Sequence, residues 1–124
     1  MELFDKERIL ILDGAMGTMI QKYGLREEDY TIDTDEGAPC HSRPMKGNNE
    51  VLNLTRPDTI SAIHKEYIDA GADIIESNTF SANRISQAEY GCADLAGQMA
   101  YRGACIARRC ADMAMEEAAA SGEE

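Results

Sequence analysis

The chain has 124 residues, 44 % of them hydrophobic, and a formal net charge of −11. It is long enough for one domain with its own core, and its charge argues against nucleic acid and anionic membranes as partners. No apolar run approaches the roughly 20 residues of a membrane span. The N-terminus also lacks a signal-peptide apolar region. We therefore expect a cytoplasmic protein whose four cysteines are reduced thiols.

The first predicted element is a strand that ends in an acid. Residues 8–12 contain the uninterrupted apolar run Ile9-Leu10-Ile11-Leu12, which is typical of a strand buried on both faces of a parallel sheet. Asp13 follows at the carboxyl end, where α/β proteins bind ligands. The alternative is that Asp13 only caps the next helix. The apolar spacing predicts that helix over Ala15 to Lys22, with Gly24 ending it.

Regular periodicity is absent from residues 25 to 53, where an acidic stretch precedes one rich in Pro, Gly and Asn. A loop of this length is either functional or disordered, and the sequence leaves both interpretations open. Cys40 and His41 are adjacent in it, but a lone pair of potential ligands is only a weak sign of metal binding.

A helix is expected next, because Thr55 and Asp58 have the spacing of a capping box and Pro57 suits the first turn. Gly71 closes this helix. His64 lies on it next to an apolar residue, which favours a packed or surface histidine over a catalytic one. No Ser or Cys has a nearby base that would make it a nucleophile.

A second strand is predicted over residues 72–76, and it also ends in an acid, Glu76. If the two strands are parallel neighbours, Asp13 and Glu76 lie at the same edge of the sheet, where a ligand can bind. Paired carboxylates there can bind an ammonium group or exchange protons. A solvated strand end is the alternative for Glu76.

The C-terminal part is predicted to be helical, with a short helix over Asn83 to Glu89 and a long one from Ala93 to Ala119. Cys110 falls on the apolar stripe of the long helix and is interpreted as a core residue. Cys92 and Cys105 do not form a CxxC pair with it, so a complete zinc site is not expected.

Four stretches together resemble one family. They are residues 9–21, Lys46-Gly47-Asn48-Asn49, Arg56-Pro57-Asp58-Thr59-Ile60 and residues 70–80. They resemble the homocysteine-binding domain of cobalamin-dependent methionine synthases, within the homocysteine S-methyltransferase family. The resemblance implies a (β/α)₈ barrel in which three cysteines bind zinc, zinc holds homocysteine as a thiolate, and the thiolate attacks a methyl group. Cobalamin on another domain carries that methyl group, and other family members use other donors.

The resemblance also implies a set of substrate-binding residues. By position, Asp13 and the Gly14 backbone lie beside the amino acid end of homocysteine, and a second turn lines the same pocket. That turn consists of Glu76, Ser77, Asn78 and Thr79. This agrees with the placement of both acids at one mouth.

The expected fold is therefore α/β: the N-terminal part of a (β/α)₈ TIM barrel, with two parallel strands and flanking helices. A complete barrel takes about 250 residues, so residues 1–124 are interpreted as a partial homocysteine-binding domain. None of the four cysteines stands at a zinc position of the family. Zinc and cobalamin are therefore expected in the full-length family and not on this chain alone.

Three hypotheses remain open. The chain is part of a methyltransferase that a second chain completes, or it is an inactive remnant that at most binds through its acidic surface. The third hypothesis is an interaction module that covers its open sheet edges by pairing with another chain.

Overall fold

The computed structural model describes residues 9–31 and 44–122. Within them the chain forms five α-helices, which are α1 (Met16–Lys22), α2 (Leu52–Thr55), α3 (Pro57–Asp69), α4 (Arg84–Ala88) and α5 (Ala96–Ala120). Three short 3₁₀ helices accompany them at Glu27–Tyr30, Asn49–Val51 and Ala93–Leu95. None of these helices has the length and apolarity needed to cross a membrane.

The α/β prediction is wrong for the described residues, which contain no strand. The two segments predicted as parallel strands meet only at an isolated parallel bridge between Leu12 and Ile74. The barrel portion with parallel strands is therefore not observed. Two strands cannot bury both of their faces, and Ile9 and Ile11 accordingly remain 89 % and 55 % exposed.

Side-chain competition also limits the pairing. Asp13 N donates to Ile74 O (2.9 Å), and Ile74 N donates to Ile11 O (3.1 Å). Ile11 N, however, donates to the Asp73 carboxylate (3.0 Å) rather than to a backbone carbonyl. The contact keeps the ends of the two segments side by side without extending into a ladder.

The helix predictions agree well with the structure. The helix predicted over Ala15 to Lys22 is α1, the one after Pro57 is α3, and those at Asn83 and Ala93 are α4 and α5. Gly71 follows the end of α3 with a φ of +111°, which glycine adopts without a Cβ penalty. The predicted loop at 25–53 is partly helical, and Cys40 and His41 lie outside the described residues.

The predicted capping box at the start of α3 is wrong. Arg56 occupies the cap position and no side chain caps the helix. The Thr55 hydroxyl instead donates back to Val51 O (3.3 Å), because Thr55 belongs to the preceding helix, α2. Arg56 pairs with Asp29 (2.8 Å) and so ties the first 3₁₀ helix to α3.

The core lies where α3 packs against α1, α2 and α5, and where α2 packs against α5. Full burial of an aliphatic side chain contributes about 1.5–3 kcal/mol. Nine buried side chains form this core: Ile20, Tyr30, Met45, Val51, Leu52, Ile60, Ile63, Cys92 and Met99. The helices thus form the buried core, and none of its nine residues comes from residues 9–13 or 73–81.

Candidate functional site

A cleft with a volume of about 460 Å³ opens where the two paired segments end. Its walls come from three parts of the chain: the turn after Leu12, the segment before α2 and the segment after Ile75. The described residues that line it are 13–17, 47, 49, 50 and 76–81. All six residues expected to bind substrate are among them: Asp13, Gly14, Glu76, Ser77, Asn78 and Thr79.

The Asp13 carboxylate joins two walls of the cleft. Its Oδ2 accepts a hydrogen bond from the backbone N–H of Glu76 (3.2 Å). The hypothesis that Asp13 only caps α1 is wrong, because Ala15 is the cap residue and no side chain bonds to that helix end. The hydrogen bond from the Glu76 backbone brings the Asp13 carboxylate next to residue 76, although the two segments that end there are joined by an isolated bridge and are not strands.

Three of the described residues that line this cleft carry a carboxylate, and no described lining residue is a lysine or arginine. They are Asp13, Glu76 and Glu50, and the last is 8 % exposed. Carboxylates that lie partly out of water attract cations more strongly than exposed ones do. The cleft is therefore suited to a ligand with a positively charged group, such as an ammonium.

Two hydroxyl groups stand on the wall after Glu76. The oxygens Ser77 Oγ and Thr79 Oγ1 are 2.7 Å apart. One hydroxyl donates to the other, so the accepting hydroxyl keeps its own proton for a further acceptor. This pair can bind a carboxylate oxygen while the acids bind an ammonium group.

Asn78 holds its own turn in place through buried hydrogen bonds, a role that the sequence did not predict. It is 5 % exposed, and its Nδ2 donates to Asn49 O (2.9 Å) and Asn53 Oδ1 (3.1 Å). Asn53 Nδ2 in turn donates to Asn78 O (2.8 Å) and to Met99 O in α5 (2.9 Å). These bonds fix the turn that carries Ser77 and Thr79 against two helices.

A second buried amide pair holds the other side of this wall. Asn48 Nδ2 donates to Gln87 Oε1 (2.8 Å), and Gln87 Nε2 donates to Asn48 Oδ1 (3.0 Å) and to Ser81 O (3.0 Å). Sequence reasoning missed Asn53 and Gln87 as supports of the site. For Asn53 a signal existed, namely an amide within the apolar run Val51-Leu52-Asn53-Leu54.

Gly14 allows the first turn to lie against α3. A Cβ atom at this position would stand 2.8 Å from the hydroxyl of Tyr67. That hydroxyl donates to Ala15 O (2.9 Å), so the tyrosine and the turn fix each other. A side chain at position 14 would disturb the wall that carries Asp13.

His64 is fully buried in α3, as a packed histidine would be. Burial lowers the pKa of its imidazole, and the nearby Asp13 carboxylate opposes that shift in part. The ring therefore favours the neutral form.

The described residues do not provide a zinc site. They contain no group of three or more His, Cys, Asp or Glu side chains that could hold a metal ion. Cys105 is exposed on α5, and Cys110 faces Ser61 in α3, with Sγ 3.7 Å from its carbonyl oxygen. Burial raises the pKa of the Cys110 thiol, which disfavours the thiolate that binds metals.

One comparison with known proteins bears on this site. The family model described as homocysteine S-methyltransferase matches residues 10–122. The match includes every residue that lines the cleft.

Proposed function

Since the chain belongs to the homocysteine S-methyltransferase family, we propose that its acidic cleft binds the amino acid end of homocysteine for methyl transfer to sulfur. The observation that carries the proposal is the meeting of Asp13 and Glu76 at one cleft, joined by the hydrogen bond from Glu76 N to Asp13 Oδ2. In this arrangement the two carboxylates hold the substrate ammonium. The hydroxyl of Ser77 or Thr79 that keeps its proton donates to the substrate carboxylate.

The reaction requires the homocysteine sulfur to form a bond to a methyl carbon. The bond from that methyl group to its donor breaks, its electron pair stays with the donor, and the thiol proton leaves to solvent. The role of residues 13–17 and 76–81 is to orient the substrate. A positioned substrate converts a bimolecular encounter into an effectively unimolecular step. We assign no catalytic proton transfer to this chain.

We further propose that the chain works in a methionine synthase reaction with methylcobalamin as donor. The support is the resemblance of residues 9–21 and 70–80 to that group of the family. Zinc does not fit the described residues, so activation of the thiol is assigned to groups beyond them. A second polypeptide or a further segment is the proposed source, and the exposed run at residues 9–12 is a surface on which it can pack.

Isothermal titration with L-homocysteine tests the proposal. Asp13→Asn and Glu76→Gln preserve shape but remove one charge each, and we expect affinity to fall by about tenfold or more, because a partly buried charge loses its partner. Glu116→Gln on the exposed face of α5 is the matched control. The analogue 4-mercaptobutanoate, which lacks the ammonium, should not bind measurably. Equal affinity of both acid variants and the wild type would reject the proposal.

An inactive binding chain is the second candidate function, because the resemblance places none of the four cysteines at a zinc position of the family. The discriminating measurement is homocysteine-dependent demethylation of methylcobalamin by the purified chain, together with its zinc content. We expect homocysteine binding without turnover. Turnover with stoichiometric zinc would show that the chain is active alone.

A further inference from the structure

Three buried polar atoms lie behind the cleft without hydrogen-bond partners among the described residues. They are Oδ1 of Asp13 and both ring nitrogens of His64. His64 is 0 % exposed, so water at the surface does not reach the ring. Buried polar groups in folded proteins nearly always have a partner, and each exception requires an explanation.

The backbone places His64 on the same face of α3 as a residue that contacts the Asp13 turn. Tyr67 follows His64 by three residues, a spacing that puts both side chains on one helix face. The Tyr67 hydroxyl donates to Ala15 O (2.9 Å) and stands against Gly14. The face of α3 that carries His64 is therefore packed against the turn that begins with Asp13.

The two oxygens of Asp13 have different surroundings. Oδ2 is at the cleft, where it accepts from Glu76 N (3.2 Å). Oδ1 is buried and has no hydrogen-bond partner among the described residues. A carboxylate held at only one oxygen can turn about χ2, which is a broad torsion in aspartate and histidine alike.

We propose that His64 is a positioning residue for Asp13: its neutral imidazole donates a hydrogen bond to Oδ1 and so holds Oδ2 at the cleft. A neutral imidazole has one donor and one acceptor, so the ring has an N–H to offer the carboxylate, and χ2 of both side chains is a broad torsion about which the two groups can turn. The inference rests on the proposed function, because Asp13 is the residue that would hold the substrate ammonium. It adds a residue outside the cleft that determines how well Asp13 binds.

The protonation properties of the ring agree with this role. Burial lowers the pKa of His64, while the Asp13 charge raises it in part. Since burial is the larger cause, the ring is neutral near pH 7 and acts as a donor without adding a positive charge. A protonated ring would compete with the substrate ammonium for the same carboxylate.

The first test uses nitrogen NMR of the ring and needs no ligand. The chain has two histidines, so the His64 signals are identified by their loss in His64→Gln. At a pH well above the ordinary imidazole value of about 6.5, we expect one dominant neutral tautomer in the wild type. Asp13→Asn should shift the ring nitrogens of His64 and leave those of His41 unchanged. Identical His64 signals in both proteins would overturn the proposal.

The second test separates positioning from packing. His64→Gln keeps an amide donor, whereas His64→Leu has a similar size and no donor. We expect homocysteine affinity to fall roughly tenfold in His64→Leu and to stay within about threefold of the wild type in His64→Gln. Equal losses of homocysteine affinity in both variants would show that His64 only fills space. Wild-type affinity in His64→Leu would show that His64 has no part in binding. Circular dichroism checks that each variant is folded, and the NMR test with Asp13→Asn decides the question if His64→Leu does not fold.

The two proposals fail in different ways. If Asp13→Asn and Glu76→Gln both bind homocysteine as the wild type does, the proposed function fails, while the ring spectra still decide whether His64 contacts Asp13. If Asp13→Asn abolishes binding and His64→Leu leaves it intact, only the inference about His64 fails.

Discussion

At the scale of residues, the site depends on where individual polar atoms lie relative to solvent. Asp13 presents one oxygen to the cleft and one to the interior. Glu50 and Asn78 are mostly buried, whereas Glu76 is exposed at the mouth. These differences are not visible in residue types, since Asp and Glu at turns are usually solvated. They separate Asp13 and Glu50, whose side chains are largely out of water, from Glu76, which stays in contact with solvent.

The buried His64 predicts a pH dependence of stability. Because its pKa is lowered in the folded chain, the unfolded chain takes up a proton more readily as pH falls through about 6.5. Stability is therefore expected to decrease as pH falls below that value. Chemical denaturation of the wild type and His64→Gln across this range measures the effect, with His41→Gln as control. If the unfolding free energy of His64→Gln falls with pH as steeply as that of the wild type, His64 is not the source of the pH dependence.

A substitution at Gly14 tests the close contact with α3. Gly14→Ala places a methyl group 2.8 Å from the Tyr67 hydroxyl, and we expect a loss of about 1–3 kcal/mol in unfolding free energy. Removal of that hydroxyl in Tyr67→Phe should reduce the cost of the added methyl. A double-mutant cycle by urea denaturation measures the coupling. If the two changes in unfolding free energy simply add, positions 14 and 67 do not interact.

At the scale of elements, α5 supports the cleft without lining it. Its Gly103 is buried where the helix crosses the Asn53–Asn78 network. A Cβ there would stand 2.7 Å from Asn53 Nδ2, 2.7 Å from Thr79 Cγ2 and 3.2 Å from Asn78 O. Because one of these contacts is backbone, the helix itself would have to move. The position of the Ser77–Thr79 turn thus depends on a glycine in a distant helix.

Gly103→Ala is therefore expected to be destabilising even though alanine favours helices. We expect a loss of about 1–3 kcal/mol and weaker homocysteine binding. Gly97→Ala in the same helix is the matched control, since no atom lies within 4 Å of a Cβ there. It should leave stability unchanged or raise it by up to about 1 kcal/mol. Thermal unfolding of the two variants measures the contrast, and a similar change in both would show that Gly103 is not a packing constraint.

At the scale of the whole molecule, the helical core is covered but the segment before Asp13 is not. Ile9, Ile11 and Leu12 are 89 %, 55 % and 50 % exposed. Contiguous exposed apolar residues mark surfaces for association, and their backbone is paired to Ile74 at a single bridge. The chain thus has a core of its own together with an exposed apolar segment, on which we expect another polypeptide to pack.

Self-association is the expected consequence in a purified sample. Ile11→Lys should shift the chain toward monomer in sedimentation velocity, because a charge opposes apolar contact at this surface. Ile85→Lys is the control, since Ile85 is 87 % exposed but lies in α4. Thermal stability should change little in either variant. A monomeric wild type, or an equal effect of both substitutions, would contradict this expectation.

The sequence by itself determined four of the helices, α1, α3, α4 and α5, and the main candidates at the site. The bounds of α1 and α3 follow from local chemistry, namely apolar spacing, Pro57 at the first turn and Gly71 after the last. Asp13 and Glu76 were identified because each follows an apolar run, and that signal is also local. The family motifs lie in the same stretches.

Only the tertiary structure decided whether the apolar runs formed strands and which isolated polar residues were buried. A strand requires neighbours on both sides, and the described chain offers residues 9–12 just one bridge, so the expected sheet is not observed. The burial of His64, the role of Asn78 in holding its turn and the closeness of Gly103 to that turn depend on contacts between residues distant in sequence. No local pattern encodes such contacts, because they arise only when α3 and α5 pack.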